Sequence, residues 1–172
     1  MRLTRKDQLL VNGLLTLTLL LALGLRFYRI QGQSLWNDEG TSIALAVRDL
    51  ATITRGAAND IHPPLYYYVL HFWMSLFGST ELAVRSFSAL LGTLLVLLVF
   101  VFGRFVAGNG TGLIASFFAA LSPFQVYYSQ ETRMYILTAL LGALSVHSFM
   151  NLLYQWRNEA TYTNQRLSPV RS

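Results

Sequence analysis

The chain has 172 residues and a formal net charge of +5, with 53% hydrophobic and only 12% charged residues. Soluble domains carry about 25% charged residues, so this composition indicates a membrane protein. The basic residues form no contiguous patch, which argues against a nucleic-acid partner. The chain contains no cysteine, which excludes disulfides and thiolate metal sites.

The first predicted element is a membrane span. An apolar run from Leu9 to Leu25 follows a basic start, and Phe27 and Tyr28 extend it into the membrane interface. A secretory signal peptide has a similar start, but no small-x-small cleavage site follows this run. We therefore predict a transmembrane helix over about residues 9–28, with its N-terminus in the cytoplasm.

A long external loop, residues 29–81, is predicted to follow this span. It contains two adjacent acids, Asp38 and Glu39. Carboxylates beside a bilayer are costly to desolvate, so this pair is a candidate functional site. Apolar residues spaced i, i+4, i+7 behind the pair predict one short amphipathic helix, over about residues 39–50, with Asn37 or Asp38 as its cap.

The segment Pro63–Phe77 decides the predicted topology. It is short and rich in Tyr and Trp, which favours a helix that lies in the interface or re-enters it over one that crosses the membrane. Three further spans are predicted after it, the second of them kinked near its far end at the Ser122–Pro123 step. Their approximate ranges are 82–103, 111–128 and 135–154.

The distribution of lysine and arginine favours four spans over five. With four spans, seven of the thirteen basic residues lie on the cytoplasmic side, and with five spans only five do. Residues 156–172 are polar and aperiodic and predict a disordered cytoplasmic tail. The predicted fold is thus an all-α polytopic membrane bundle with four transmembrane helices. This arrangement places the following residues on one outer face: Asp38, Glu39, His62, Arg85, Glu131 and Arg133.

Four segments, in this order and spacing, resemble the N-terminal part of the GT-C glycosyltransferases. Within that superfamily the chain is similar to the protein-O-mannosyltransferase-like and aminoarabinose-transferase-like group, of glycosyltransferase family 39 type. The segments are Leu35-Trp36-Asn37-Asp38-Glu39, His62-Pro63-Pro64-Leu65-Tyr66-Tyr67, Ala83-Val84-Arg85-Ser86-Phe87-Ser88-Ala89-Leu90 and Tyr128-Ser129-Gln130-Glu131-Thr132-Arg133-Met134-Tyr135.

The resemblance implies an enzyme of the plasma (inner) membrane and cell envelope with its active site on the outer face. Such an enzyme moves a sugar from a polyprenyl-phosphate donor to a glycan, lipid or protein acceptor, with inversion at the anomeric carbon. The resemblance maps the general base onto Asp38 and the donor-phosphate site onto His62 and Arg85. Members of the group continue with further spans, so we expect residues 1–155 to be the N-terminal portion of such an enzyme, followed by a truncated tail, and to be inactive alone.

Chemical reasoning adds further candidates. A leaving phosphate needs cationic donors, which adds Arg133 to the phosphate group. Glu39 is a second catalytic candidate, able to orient the acceptor. A divalent cation, Mg²⁺ or Mn²⁺, is the one cofactor that scattered acids such as Asp38, Glu39 and Glu131 could hold. The substrate-binding candidates are Gln130, Glu131 and Tyr66.

Each candidate also has a structural explanation that the sequence leaves open. Asp38 could cap a helix, and Glu39 could be a first-turn acid that favours the helix dipole. Arg85 could extend its charged end to the interface, and Glu131 with Arg133 could form an exposed ion pair. The alternative function is a small non-catalytic membrane protein that binds anionic lipid or a partner membrane protein. No inverted repeat supports a transporter.

Overall fold

The computed structural model describes residues 4–58 and 63–167, with side chains described as far as residue 159. Every regular element within these ranges is an α-helix, which confirms the predicted all-α class. The elements are α1 (Arg5–Phe27), α2 (Asn37–Ala46), α3 (Leu50–Ala58), α4 (Leu65–Phe77), α5 (Glu81–Ala107), α6 (Asn109–Leu121), α7 (Pro123–Ser129) and α8 (Tyr135–Leu167).

Among the described residues, three helices are long and apolar enough to cross a membrane: α1, α5 and α8. The predicted span over residues 111–128 corresponds to two helices, α6 and α7, separated at Ser122. The backbone of Ser122 is extended (φ −60°, ψ 115°), because Pro123 has no N–H to continue the helix, and the Ser122 hydroxyl caps α7 instead. The kink predicted at this step is therefore a complete break.

Helix α5 is the centre of the bundle, and α1, α6, α7 and α8 all pack against it. The α5–α6 pair is especially close, because a Cβ on Gly103 would lie 2.9 Å from the Cα of Gly112. Gly108 joins these two helices with a φ of 86°, a left-handed conformation that a residue with a Cβ rarely adopts.

Helices α2, α3 and α4 fold together against the start of α5. Their contact is an apolar cluster in which Ile53 and Leu70 are fully buried. The Trp73 indole N–H donates to the carbonyl of Ala83 at 2.7 Å, which fixes α4 to the first turn of α5. Helix α4 has only 13 residues, or about 20 Å, and is not among the candidate spans. Its position in the membrane interface stays a prediction.

Three local predictions were wrong. The single helix expected over residues 39–50 is two helices, because the Asp49 carboxylate accepts the N–H of Thr52 at 2.9 Å and begins α3. The N-terminal cap residue of α2 is Trp36, so neither Asn37 nor Asp38 is the cap. The tail predicted to be disordered from residue 156 is helical as far as Leu167, since residues 156–167 contain no glycine or proline. Residues 168–172 lie outside the described ranges.

The polar residues of interest gather at one end of the bundle. Here α1 and α7 end, α5 and α8 begin, and α2 and its flanking loop are bound. We call this region the loop end. It brings together three segments that the sequence predicts to share one membrane face: residues 30–42, the first turn of α5 and residues 130–133.

Candidate functional site

The centre of the loop end is a buried ion pair between Glu39 of α2 and Arg85 of α5. Arg85 Nε donates to Glu39 Oε1 at 2.9 Å, and its Nη2 donates to Oε2 at 2.7 Å, a bidentate geometry. Glu39 is completely buried, and its carboxylate also accepts the backbone N–H groups of Thr132 (2.8 Å) and Trp36 (3.4 Å). Both Glu39 oxygens are therefore engaged by the chain itself.

The guanidinium of Arg85 is saturated as well. Its Nη1 donates to the carbonyl oxygens of Ile30 (2.8 Å) and Gln33 (2.7 Å), and its Nη2 to that of Ser34 at 3.3 Å. Glu81, one turn earlier on α5, lies 3.0 Å from Nη1. As placed, Arg85 holds the loop after α1 in position and has no N–H group left for a phosphate.

The surroundings of Glu39 favour its ionised form. Burial alone would raise the pKa of this carboxyl, but the hydrogen bonds from Arg85 and Thr132 and the positive charge of Arg85 outweigh that effect. The pKa of Glu39 therefore lies below its usual range. A proton acceptor in catalysis needs a pKa closer to the operating pH, so this environment suits a structural carboxylate better than a base.

Asp38, on the adjacent face of α2, has a more open environment. Its side chain is 43% exposed, and Arg133 Nη2 lies 3.7 Å from Oδ2. Arg133 Nη1 donates to the Asp38 carbonyl at 3.1 Å and to the Ser42 hydroxyl at 3.2 Å. Arg133 itself is 7% exposed, and its Nε has no hydrogen-bond partner among the described residues. The contact thus combines an accessible carboxylate with a fixed cation.

Arg26, close to the end of α1, joins α1 to α7. It is completely buried, and its Nε donates to the Ser129 hydroxyl at 3.2 Å while its Nη1 donates to the Ala22 carbonyl at 3.1 Å. Gly92 of α5 provides the necessary space, because a Cβ there would lie 2.8 Å from Arg26 Nε and would collide with the Ser129 hydroxyl. The amide nitrogen of Gln130 lies within hydrogen-bonding distance of three carbonyl oxygens at the end of α1. Together these contacts fix the segment that leads into residues 131–133.

A cleft of about 510 Å³ lies between the end of α1 and α7. Glu39 and Arg85 line it, but Asp38 is not among its lining residues. Glu131, which is 8% exposed, also lines the cleft, and its Oε2 has no hydrogen-bond partner among the described residues. The partly exposed rings of Trp36 and Tyr127 form part of the wall.

The environment of Glu131 favours its neutral form, in contrast to that of Glu39. Burial raises the pKa of Glu131, and the negative charge of Glu39 adds to the rise. The hydroxyl of Tyr127 and the positive charges of Arg133 and Arg85 oppose the rise without cancelling it. The loop end thus contains two buried carboxyls whose pKa values are displaced in opposite directions.

The predicted site residues do not all share these surroundings. The structure brings Asp38, Glu39, Arg85, Gln130, Glu131 and Arg133 together at the loop end. Tyr66 is 2% exposed within the apolar cluster of α2–α5, a position that favours packing over contact with a substrate. His62 lies outside the described residues.

The loop end has no ligand set that suits a divalent cation. Within the described ranges, no three His, Asp or Glu side chains lie close enough together to hold a metal. Both Glu39 oxygens accept hydrogen bonds from Arg85 and backbone N–H groups, so Glu39 has no oxygen free to serve Mg²⁺ or Mn²⁺. We therefore derive no step through a metal.

Sequence reasoning missed two contributors. Arg26 was not among the candidate residues, although a charged residue at the end of a predicted span, followed by no nearby acid, is a signal of a buried polar contact. The backbone N–H of Thr132 has no sequence signal, because it depends on how residues 130–133 are folded over α2.

Comparison with known proteins gives one match. The family model for dolichyl-phosphate-mannose-protein mannosyltransferases matches residues 61–162, which is more than half of the chain. No curated protein and no solved structure matches it. This family is of the GT-C type, its members are glycosyltransferases that use a polyprenyl-phosphate-linked sugar in a membrane, and the apolar helices described above fit that setting. The chain therefore belongs to the dolichyl-phosphate-mannose-protein mannosyltransferase family of GT-C glycosyltransferases.

Proposed function

We propose that this chain carries the catalytic base of a glycosyltransferase that moves a sugar from a polyprenyl-phosphate donor to an acceptor hydroxyl. The family supplies the class of reaction. One observation carries the assignment of the base: the carboxylate of Asp38 is 43% exposed and lies 3.7 Å from a fixed cation, Arg133. An accessible carboxylate beside a cation is what an attacking hydroxyl and a leaving phosphate together require.

In the proposed step, Asp38 accepts the proton of the acceptor hydroxyl as the hydroxyl oxygen attacks the anomeric carbon. The bond between that carbon and the phosphate oxygen breaks with inversion, and the polyprenyl phosphate leaves with the electron pair. A positioned base of this kind contributes about 10²–10⁴-fold to the rate. Glu39 has both oxygens engaged, so in this scheme it orients α2 and takes no proton.

The contacts favour Arg133 over Arg85 as the partner of the leaving phosphate. Among the described residues, Arg133 Nε has no hydrogen-bond partner, and Arg133 Nη2 lies 3.7 Å from the carboxylate of the partly exposed Asp38. The N–H groups of Arg85 are all directed to acceptors within the chain. Arg85 would have to leave one of these acceptors to bind a phosphate, so we assign it to positioning the loop. His62 remains a phosphate candidate on the family resemblance alone.

We place the loop end on the outer face of the plasma membrane. The supporting arguments are the bias of lysine and arginine toward the opposite side and the short, aromatic α4, whose length suits the interface. The acceptor is a hydroxyl on a glycan, a lipid or a protein, and the contacts described here do not favour one of these over the others.

A transfer assay with matched variants tests the proposal. Membranes that contain the intact enzyme are supplied with a polyprenyl phosphate carrying a radiolabelled sugar, and label transferred to the acceptor is counted. Asp38→Asn is expected to lower transfer by about 10²–10⁴-fold, because the amide cannot take the proton. Asp49→Asn removes an exposed acid of the same external segment and is expected to leave transfer unchanged.

An Asp38→Asn enzyme that retains more than a tenth of wild-type transfer would refute the assignment of the base. An intact enzyme that transfers no sugar but still binds anionic lipid would favour the non-catalytic alternative.

A further inference from the structure

Glu131 has a buried carboxyl oxygen that the proposed transfer step leaves unused. The side chain is more than nine-tenths buried, lines the cleft between α1 and α7, and has no ion-pair partner within 4 Å among the described residues. Its Oε2 has no hydrogen-bond partner in the part of the chain that the structure describes. A buried carboxylate left in this state is expensive, whereas a neutral carboxylic acid with a free O–H is a hydrogen-bond donor that awaits an acceptor.

The charges around Glu131 indicate which acceptor the cleft suits. Arg29 and Arg85 line the cleft with Glu39, so it carries a net positive charge when Glu131 is neutral and none when Glu131 is ionised. A neutral Glu131 therefore makes the cleft suitable for an anion. The charged and titratable groups that face Glu131 are Glu39 from α2, Arg85 from α5, Tyr127 from α7 and Arg133 from its own loop.

We propose that Glu131, in its protonated form, donates a hydrogen bond to the phosphate of a polyprenyl phosphate held in this cleft, which neither Asp38 nor Arg133 lines, before or after the transfer step beside those two residues. The inference rests on the proposed function, because it takes the polyprenyl phosphate of that reaction as the ligand. Two features of the cleft suit such a ligand. Leu25 and Val126 give its lining an apolar part that suits an isoprenoid chain, and Arg29 adds a cation to the lining.

This arrangement couples phosphate binding to a proton. A bound phosphate is a like charge beside Glu131, so it disfavours ionisation of the carboxyl, and a proton on the carboxyl favours phosphate binding to the same extent. Above the pKa of unliganded Glu131, each bound phosphate takes up one proton. The affinity for the phosphate then falls by about tenfold for each pH unit in that range.

Isothermal titration calorimetry on the full chain in nanodiscs tests this coupling without any turnover. The probe is farnesyl phosphate, a short polyprenyl phosphate, titrated between about pH 5 and about pH 9. Repeating each titration in buffers of different ionisation enthalpy counts the protons taken up. The probe's own second ionisation, near pH ~6, affects all variants equally, so the informative quantity is the ratio of wild-type to variant affinity.

Glu131→Gln keeps the shape and an N–H donor but cannot ionise. We expect it to bind farnesyl phosphate as the wild type does at acidic pH, to bind more tightly than the wild type at alkaline pH, and to lose the proton uptake. Tyr127→Phe removes a hydroxyl that lowers the pKa of Glu131, so it is expected to shift the decline in affinity to higher pH. Asp49→Asn serves as the control and should match the wild type.

Two results would overturn the proposal: proton uptake and a pH slope in Glu131→Gln equal to those of the wild type, or wild-type affinity that rises with pH. Equal affinity for inorganic phosphate and farnesyl phosphate would reject the lipid donor as the ligand. If the Glu131→Gln protein shows no folding transition, the Tyr127→Phe variant tests the proposal instead. A decline in affinity shifted to higher pH supports the proposal, and an unshifted decline overturns it. Failure of the Asp38 assay leaves these binding results unaffected, since calorimetry registers no sugar transfer.

Discussion

At the loop end, the two faces of α2 carry neighbouring acids, Glu39 and Asp38, that differ in burial and in hydrogen bonding. On the Glu39 face, a fully buried carboxylate receives two hydrogen bonds from Arg85 and two from backbone N–H groups. On the Asp38 face, a carboxylate that is 43% exposed has one cation at 3.7 Å, beyond hydrogen-bonding distance. The two acids are adjacent in sequence, but a helix rotates about 100° per residue, so they project into different surroundings.

The difference separates an acid that organises the site from one that is free to react. A carboxylate with every lone pair engaged cannot accept a proton without breaking contacts that join α2, α5 and residues 130–133. A carboxylate that is open on one side can accept a proton at little structural cost. The Asp-Glu pair is therefore better understood as one reactive residue and one structural residue than as two catalytic carboxylates.

The largest predicted effect is on the Glu39 face. Glu39→Gln removes one partner of a buried ion pair and leaves the Arg85 charge without full compensation, which costs about 3–5 kcal/mol of folding free energy. Glu81→Gln is the matched control, because Glu81 contacts the same arginine from a side chain that is 27% exposed. It should cost about 1 kcal/mol or less. Unfolding of the detergent-solubilised protein, followed against denaturant, measures both.

Equal losses in the two variants would mean that burial does not distinguish the contacts of Arg85. The contrast between the two faces of α2 would then lose its physical basis. A greater loss of unfolding free energy in Glu81→Gln than in Glu39→Gln would make Glu81 of α5, and not Glu39, the more important structural partner of Arg85.

Much of the fold follows from apolar periodicity and from a few breakers. The long apolar runs of α1, α5 and α8 predict their helices, and Pro123 marks the break between α6 and α7. The end of α2 was missed because Asp49 begins a new helix through a local side-chain bond, which competes with the longer apolar pattern. The extension of α8 to Leu167 was missed because polarity was taken as disorder, although its residues have no helix breaker among them.

The sequence predicted which charged residues gather at the loop end, but not how they pair. Charged residues flanking apolar runs indicated that Asp38, Glu39, Arg85 and Arg133 share one membrane face, and the structure places them in contact. Which acid pairs with which arginine depends on the rotation of α2 and on the path of residues 130–133. Neither is encoded in a local sequence pattern. For this reason Arg85 was predicted to bind a phosphate, although in the structure its guanidinium is hydrogen-bonded to Glu39.

A smaller loss of stability is expected from Gly92→Ala. This substitution tests whether the contacts of Glu39 and of Asp38 both depend on the position of the loop after α7. The added Cβ would collide with the Ser129 hydroxyl and crowd Arg26, so the loop after α7 must shift, at a cost of about 1–3 kcal/mol. Residues 132 and 133 of that loop contact Glu39 and Asp38 respectively. The contacts on both faces of α2 should therefore weaken together, and sugar transfer should fall along with the free energy of unfolding.

Gly142→Ala is the matched control for this substitution. Gly142 lies in α8 with no atom within 4 Å of a Cβ built there, so alanine should stabilise the helix by up to about 1 kcal/mol. Unfolding midpoints and transfer rates of the two variants are compared in the same membranes. A Gly92→Ala protein as stable as Gly142→Ala would show that the Arg26–Ser129 contact does not support the loop end.

The smallest predicted effect on stability belongs to Asp38→Asn, the variant with the largest predicted effect on transfer. An exposed ion pair contributes about 0–1 kcal/mol, and an acid in the first turn of α2 adds a favourable dipole term of about 0.3–1 kcal/mol. The loss in unfolding free energy should therefore stay near 1 kcal/mol and well below that of Glu39→Gln in the same assay. A loss as large as that of Glu39→Gln would make Asp38 a structural acid, and its effect on transfer could then be explained by unfolding alone. A small loss combined with abolished transfer leaves proton acceptance as the role that the substitution removes.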